Sequence, residues 1–220
     1  MIKKLIFLLG LLAAISFNQQ AMAIEEPKYD TIYSEGSFEI RRYAPLLLAE
    51  TFVDGDMDEA SNKGFRRIAD FIFGNNQAPG SNTQSSMAMT APVTIEPQSS
   101  KIAMTAPVTL EPQTPSNDFL AVKKWRIAFV MPSTYSIATI PKPKNNEVKL
   151  REVPSQYFVV HRYSWLNTQT RVQEKTDETL QWARQKSLQV IGSPQLSRYD
   201  PPWTLPMFKR NEIMVEIAKP

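Results

Sequence analysis

The stretch FEIRRY at positions 38–43 has a later counterpart, FVVHRY at positions 158–163, in which the phenylalanine, the second arginine and the tyrosine are kept. A helical segment followed by glycine, at Gly74 and Gly192, comes after each copy, and each half then contains a proline-bearing loop and a strand. A half of this kind leaves one face of its sheet bare, so two of them are expected to pack together. The repeat therefore predicts an α+β protein of two similar halves, each reading strand–helix–strands.

Two segments have helical periodicity. Between Met57 and Ile72, apolar residues recur at three- and four-residue steps, while charged residues fill the other face. DGD at positions 54–56 offers an N-cap for this helix. The second helix is predicted to begin at a capping box, TRVQ at positions 170–173, and to end at GSP, positions 192–194.

Six strands are predicted from runs of β-branched and aromatic residues that are bounded by Pro, Gly or Asn. The 17 prolines lie mostly between these elements and keep the connections extended. The predicted strands are Phe38–Tyr43, Leu46–Val53, Trp125–Met131, Val148–Glu152, Tyr157–Trp165 and Glu212–Ile217.

The first 23 residues are interpreted as a cleavable signal peptide. Lys3 and Lys4 precede a short apolar stretch, and the AMA at positions 21–23 is the small-x-small pattern of a cleavage site. The apolar run is shorter than the roughly 20 residues that a bilayer-spanning helix needs. We therefore expect a periplasmic or secreted protein, cleaved after Ala23, without a stable membrane anchor; the alternative is an uncleaved anchor.

Composition excludes several kinds of site. Removal of the leader lowers the formal charge from +3 to +1, since it carries two lysines and no acid, and such a chain lacks the basic surface of a nucleic-acid-binding protein. The absence of cysteine excludes disulfides, thiol catalysis and covalent haem attachment. With one histidine and no cysteine, the usual zinc ligands are missing.

Three stretches together resemble the SOUL haem-binding protein family: FEIRRY at 38–43, KIAMTAPV at 101–108, and YDPPWTLP at 199–206 followed by RNEIM at 210–214. The resemblance covers nearly all of residues 24–220. It implies one domain, a distorted antiparallel β-barrel of two pseudo-repeated halves, about 24–132 and 133–220, flanked by two α-helices. It also implies non-covalent binding of haem b or another porphyrin in an apolar groove beside the first helix.

Haem is a flat apolar ring system with two carboxylates at one edge, so its site needs apolar faces and a cationic rim. The first helix supplies both kinds of side chain, and so does the proline-rich segment near the C-terminus. An exposed, solvated helix face and a structural corner are the alternative interpretations of these two segments. The candidate residues are Lys63, Phe65, Arg66, Arg67, Ile68, Met89, Met104, Tyr199, Trp203, Phe208 and Arg210.

His161 is the only histidine, and imidazole is a common axial ligand of haem iron. Aligned on the repeat, it falls opposite Arg41, which places it away from the face that carries Phe38 and Ile40. A surface or hydrogen-bonded histidine is the alternative to axial ligation. Without a protein ligand, the iron is left to stacking and burial alone, which predicts that metal-free porphyrins also bind.

The hexapeptide MTAPVT occurs twice, at positions 89–94 and 104–109. Two alternating segments separated by PQSS at 97–100 predict a hairpin whose arms share a sequence, with Met89 and Met104 near the mouth of the barrel. The alternative is a tandem duplication tolerated in an exposed loop.

Two other function classes remain open from the sequence. The two-half barrel is similar in fold to small-molecule-binding domains related to gyrase-inhibitory proteins, some of which are hydrolases, and Glu50 or Glu216 would be the candidate base. A ligand-free, partner-binding module is the other class. Our expectation is a monomeric, non-enzymatic tetrapyrrole binder.

Overall fold

The structure is a computed structural model that describes residues 25–78, 102, 105–113 and 116–220. Within these residues the chain forms two α-helices, α1 (Met57–Ile72) and α2 (Gln169–Gln185), and one short 3₁₀ helix at Pro206–Phe208. None of the described helices is long and apolar enough to cross a membrane.

Eleven strands accompany the described helices. The six strands predicted from sequence are all present, with ends that differ by at most two residues. The strands are β1 (Tyr29–Glu35), β2 (Phe38–Tyr43), β3 (Leu46–Asp54), β4 (Asn76–Gln77), β5 (Val108–Pro112), β6 (Lys124–Val130), β7 (Lys142–Pro143), β8 (Lys149–Val153), β9 (Gln156–Tyr163), β10 (Gln195–Arg198) and β11 (Asn211–Ile217).

Nine strands form one curled antiparallel sheet in the order β1-β2-β9-β11-β10-β5-β6-β3-β8, and β4 pairs with β7 separately. The curled sheet is a half-barrel, with α1 packed on β3 and β6 and α2 on β9 and β11. The predicted α+β fold, a distorted barrel flanked by two helices, is therefore confirmed. At the outer edge, the register of β1 against β2 shifts between Thr31 and Tyr33.

Strand alternation separates a helix-facing side of the sheet from a concave side. In β6, Trp125, Ile127 and Phe129 are completely buried in the main core, which includes α1. Their neighbours Arg126 and Ala128 line the concave side instead. The hydrophobic core thus lies between sheet and helices, while the concave side carries the charged residues.

The caps of the two helices agree only partly with the sequence. The α1 N-cap is Asp56, whose carboxylate accepts a hydrogen bond from Glu59 N at 2.8 Å, as predicted. The predicted capping box at positions 170–173 is wrong, because the hydroxyl of Thr168 accepts from Arg171 N and α2 begins at Gln169. This helix also ends at Gln185, well before the glycine at 192.

The two similar segments FEIRRY and FVVHRY are neighbours in the sheet. Strand β2 pairs with β9 along its whole length, with Phe38 opposite His161. Without β1, the strand order is symmetric about its centre. In this symmetry β2 at one end corresponds to β8 at the other, and β3 corresponds to β9. The counterpart of β9 in that order is β3 rather than β2. The matching sequences at positions 38–43 and 158–163 therefore lie on strands that are not structural counterparts of each other.

The repeated hexapeptide is described only in its second copy, from Thr105 onward; Met89 and Met104 lie outside the described residues. Strand β5, which begins at Val108, pairs with β6 on one side and β10 on the other. Both of its edges are occupied, so Val108–Pro112 is not one arm of a hairpin with the first copy.

Candidate functional site

A buried ion-pair network occupies one end of the concave side. Arg41 holds Glu212 with two bonds, from Nη1 to Oε2 at 2.9 Å and from Nη2 to Oε1 at 3.2 Å. Tyr199 donates its hydroxyl to Glu212 Oε2 at 2.6 Å, and Arg210 Nε reaches Oε1 at 3.1 Å. Arg41 and Glu212 are 1% and 0% exposed, so both ions depend on these partners rather than on water.

The same network fixes two of the predicted ligand-binding residues. The guanidinium of Arg210 lies 3.7 Å from the ring centre of Tyr199 and also pairs with Glu26 at 2.9 Å. Burial, followed by the nearby Glu212 carboxylate, raises the pKa of the Tyr199 phenol above its ordinary value. Tyr199 is therefore a neutral hydrogen-bond donor at working pH, and Arg210 is held by carboxylates of the protein itself.

A cavity of about 100 Å³ opens on the concave side beside this network. Tyr43, Phe158, Tyr199 and Met214 line one part of it, and Glu111 and Arg126 line another. Sites for drug-sized ligands typically occupy about 300–1,000 Å³. The concave cavity is therefore too small for a tetrapyrrole.

Helix α1 places its predicted ligand-binding residues on different flanks. Ile68 is completely buried in the core, whereas Phe65 is 39% exposed and its ring lies 5.5 Å from that of Phe129. Arg67 donates to Phe52 O at 3.0 Å and pairs with Glu147, on the side of β3 and β8.

The other two basic residues of α1 have local contacts. Lys63 pairs with Glu59 one turn earlier, at 2.5 Å. Arg66 Nε donates to the carbonyl of Asn62 at 3.2 Å, and as the next residue along α1 it lies about 100° around the helix from Phe65. Of the three, Arg66 lies nearest to Phe65 around the helix, and it forms no ion pair within the described residues.

The segment between β10 and β11, residues 199–210, is here called the aromatic loop. It exposes four large apolar side chains, and Trp203 and Phe208 are 83% and 72% exposed. A second loop joins it, because Trp165 N donates to Pro206 O at 2.9 Å. The exposed apolar residues of these two loops are Trp165, Leu166, Trp203, Leu205, Met207 and Phe208.

Trp165 has a backbone φ of 93°, a region that residues with a side chain seldom adopt. Its amide is held by Pro206 O, and its carbonyl accepts from Asn211 Nδ2 at 2.9 Å. These bonds keep an indole at the surface beside the aromatic loop. No sequence pattern predicts this backbone conformation, although Leu205 lies within the stretch that carries the family resemblance.

The aromatic loop starts next to α1. Arg198, the last residue of β10, donates to Ser61 Oγ at 3.0 Å and lies 3.7 Å from a carboxylate oxygen of Asp58. Ser61 and Phe65 are one helical turn apart, so they share a flank of α1. The structure thus brings Phe65 and the start of the aromatic loop to the same side of the molecule.

His161 lies under α2, and its predicted position away from Phe38 is wrong. Its ring stacks on Phe38 at 4.1 Å between centres, because the two residues are opposite each other on paired strands. Nδ1 is 3.4 Å from Thr179 Oγ1, and Nε2 is 3.7 Å from a carboxylate oxygen of Glu178. With 3% of its surface exposed, this imidazole has no open side for a ligand.

Burial, opposed by the Glu178 carboxylate, lowers the pKa of His161 below its ordinary value. The histidine is therefore neutral near pH 7. No group of three or more His, Cys, Asp or Glu side chains with metal-binding geometry occurs in the described part of the chain.

The family of this chain follows from its match to a family model. The family model described as SOUL heme-binding protein matches residues 24–100 and 94–216. The chain belongs to the SOUL haem-binding protein family. The two matched ranges of the SOUL model overlap inside the segment where the hexapeptide is repeated. Membership in the SOUL family supports binding of haem or a related tetrapyrrole.

Solved structures show how widely the SOUL chain shares its fold. The EcmrR C-terminal domain is similar with a TM-score of 0.55 and 14% identity, over 87% of this chain and 99% of that one. A hydrolase from Listeria innocua is similar with a TM-score of 0.52 and 14% identity, over 83% and 92% of the two chains. No curated protein matches the sequence. At these identities the likeness concerns the fold alone.

Proposed function

We propose that this protein binds haem or a related tetrapyrrole without a covalent bond, on the outer surface between the Phe65 flank of α1 and the aromatic loop. The observation that carries this proposal is the exposed apolar cluster around Trp203 and Phe208 in a SOUL family member. Monomeric proteins seldom expose large contiguous apolar patches without a use for them. A flat macrocycle stacks well on indole and phenyl faces.

The side chains at the proposed surface suit a flat ligand that is bound mainly through its ring faces and its charged edge. Trp165, Trp203 and Phe208 offer ring faces, and Arg66 offers a cation for a propionate. His161 is buried under α2 and is not a ligand in this proposal. When haem is bound, the iron supplies a coordination centre, and the protein contributes stacking, burial and charge.

The biological role that we propose is reversible scavenging, buffering or transport of the tetrapyrrole by a monomer in the periplasm. Export rests on the leader pattern of residues 1–23. A reversible surface site, without a covalent link, suits a carrier that must release its ligand.

Titration of the purified protein with hemin and with protoporphyrin IX tests the proposal. Both should bind saturably near 1:1, with a shifted Soret band and quenched tryptophan fluorescence. The double variant Trp203→Ala, Phe208→Ala should weaken both by about 1–3 kcal/mol for each stacking side chain lost.

Ile191→Ala is the matched control, because Ile191 is 56% exposed but bonds to Glu216 O at the far end of β11. It should leave both affinities unchanged. Saturable binding of neither porphyrin, or equal loss in the control and the double variant, would rule out this site.

The hydrolase alternative has less in its favour. Glu50 is held by Arg151 at 3.0 Å, so this candidate base is already ion-paired. The similarity to hydrolases is a similarity of fold alone. Neither observation favours hydrolysis over tetrapyrrole binding. The partner-binding alternative predicts that neither porphyrin binds saturably.

A further inference from the structure

The concave side of the half-barrel holds a second, separate feature, the cavity of about 100 Å³ described above. It is lined by residues of the sheet face that α1 and α2 do not cover. None of its lining residues belongs to α1, and of the aromatic loop it includes Tyr199 alone. Its size suits one small ring or a short chain, which separates it from the proposed tetrapyrrole surface.

The charges of the cavity lining do not cancel once Glu50, which lies beside the lining arginines, is included. Arg126 pairs with Glu111 and lies 3.9 Å from Glu50, while Arg151 pairs with Glu50 at 3.0 Å. Both guanidinium groups are thus used by two carboxylates. Burial raises the pKa of Glu111, and the arginines oppose this effect.

Glu216 is the second carboxylate that lines the cavity, and its hydrogen-bond partner is neutral. Gln156 Nε2 donates to Glu216 Oε1 at 2.6 Å, and among the described residues no lysine or arginine forms an ion pair with Glu216. The carboxylate therefore brings a negative charge to the cavity wall, and no lysine or arginine of the described residues forms an ion pair with it.

An aromatic ring lies directly beside this carboxylate. Glu216 and Phe158 are opposite each other on the paired strands β11 and β9, and both line the cavity. Opposite residues on one sheet face have Cβ atoms about 4.5–5.5 Å apart. A carboxylate and a ring at this spacing can bind one cation together, since the ring face attracts positive charge.

We propose that the concave cavity binds a small organic cation, a primary ammonium group attached to one ring or a short apolar chain. The ammonium group bonds to Glu216 and lies against Phe158, and the apolar part contacts Met214 and Tyr43. This site is independent of the proposed tetrapyrrole site, and both ligands can be bound together.

Three probes of the same shape test the proposal by calorimetry and protein NMR: benzylamine, benzyl alcohol and benzoate. Benzylamine, which is cationic at pH 7, should bind saturably, while the neutral alcohol and the anion should bind at least tenfold more weakly. Equal binding of all three would show that charge does not select the ligand and would overturn the proposal.

Glu216→Gln removes the charge and keeps the shape of the side chain, so it should weaken benzylamine at least tenfold. Glu174→Gln, on the exposed side of α2, is the matched control and should bind like the wild type. Undiminished binding to the Glu216→Gln variant would also contradict the proposal. Far-ultraviolet circular dichroism checks that both variants fold.

Protoporphyrin IX binding in saturating benzylamine separates the two sites. The metal-free porphyrin is used because an amine can coordinate the iron of hemin. Its affinity should stay unchanged if the sites are separate. Competition between the two ligands would instead place benzylamine on the tetrapyrrole surface and refute a separate cation site.

Discussion

Glu212 shows how strongly a single residue of the concave side depends on its neighbours. Its carboxylate is completely buried and accepts bonds from Arg41, Tyr199 and Arg210. Removing one partner of a buried ion pair leaves the others charged and unpaired, which costs far more than the net contribution of the intact pair. The network therefore fixes the start of the aromatic loop relative to β2.

We expect Glu212→Gln to lower the free energy of unfolding by about 3–5 kcal/mol, since the buried Arg41 loses its buried counter-ion and keeps only the partly exposed Glu39. Urea denaturation followed by circular dichroism measures this. Glu174→Gln should change stability by less than about 0.5 kcal/mol, as exposed substitutions usually do. A Glu212 variant as stable as the control would mean that the network contributes little to folding.

His161 predicts a pH dependence of stability. Its pKa is lowered in the folded protein by burial, so the unfolded chain binds a proton more readily. The stabilising contribution of the neutral histidine is complete above the ordinary value near 6.5 and decreases as the pH falls from there toward the folded pKa. The free energy of unfolding should therefore decline from pH 7.5 to pH 5 more steeply in the wild type than in His161→Gln.

Urea denaturation at several pH values measures this difference, and the interpretation is simple because the chain has one histidine. Carboxylates near the lower end of the range contribute equally to both proteins. Parallel pH profiles for wild type and variant would contradict the assignment to His161.

At the residue level, the sequence indicates which residue types are available for a site but not where their side chains point. It identified Trp203 and Phe208, which are exposed, but grouped them with Tyr199, which faces the concave side. Alternation along a loop cannot be read as it can along a strand, so the direction of each side chain was not predictable. Trp165 was missed because its position depends on bonds to distant residues.

Helix α1 is the element that carries the cationic part of the proposed tetrapyrrole site, and its two adjacent arginines provide a matched pair. Arg66 lies nearer to Phe65 around the helix, whereas Arg67 bonds to Phe52 O and Glu147 on the opposite flank. Arg66→Ala should therefore weaken hemin by about 1–3 kcal/mol, from loss of one charge-assisted bond to a propionate.

Arg67→Ala should leave hemin affinity nearly unchanged and instead reduce stability slightly. A porphyrin with esterified propionates should not distinguish wild type from Arg66→Ala. Equal weakening of hemin by both substitutions, measured by Soret titration, would show that flank position on α1 does not matter.

Gly64 is where α1 approaches the sheet most closely. A Cβ atom at this position would lie 2.7 Å from Cβ of Ile127, a distance that forces the helix or β6 to move. Gly64→Ala should therefore destabilise the protein by about 1–3 kcal/mol through overpacking, despite the better helix propensity of alanine.

Asn62→Ala, on the exposed part of the same helix, is the control and should stabilise slightly. Thermal unfolding of the two variants and the wild type gives the comparison. Stabilisation by both substitutions would mean that α1 can shift away from β6 at little cost.

Secondary structure was the most predictable level, because periodicity is local. The α1 segment and the six predicted strands follow from alternation and spacing alone. The start of α2 was misjudged because Thr168 and Thr170 are both acceptable caps by residue type, and packing selected the first. Strands β1 and β10 are short or mostly polar and gave no usable pattern.

The whole molecule depends on pairings between strands that are distant in the chain. These pairings could not be predicted from the sequence. Strand β2 of the first predicted half pairs with β9 of the second, and β8 of the second half pairs with β3 of the first, so each half contributes one strand to the other half's part of the sheet. The division at about residue 132 stays a prediction. Non-local pairings of this kind leave no periodic signal in the chain.

Export is a prediction about the entire chain. Expressed in a Gram-negative host with its own leader, the protein should appear in the periplasmic fraction with a mass that begins at Ile24. Replacing Ala21 and Ala23 with bulky residues should leave a longer, uncleaved form. Mass spectrometry of the fractions distinguishes the two, and a full-length cytoplasmic product from the native sequence would contradict the interpretation.

The irregular outer strand affects how copies of the protein meet. Among the described strands, β1 pairs only with β2, so its outer edge carries amide and carbonyl groups to which a strand of another chain can pair. The register shift between Thr31 and Tyr33 breaks the regular spacing of these groups. The irregular edge at β1 therefore disfavours the addition of further strands and fibre-like growth, although the sheet does not close into a full barrel.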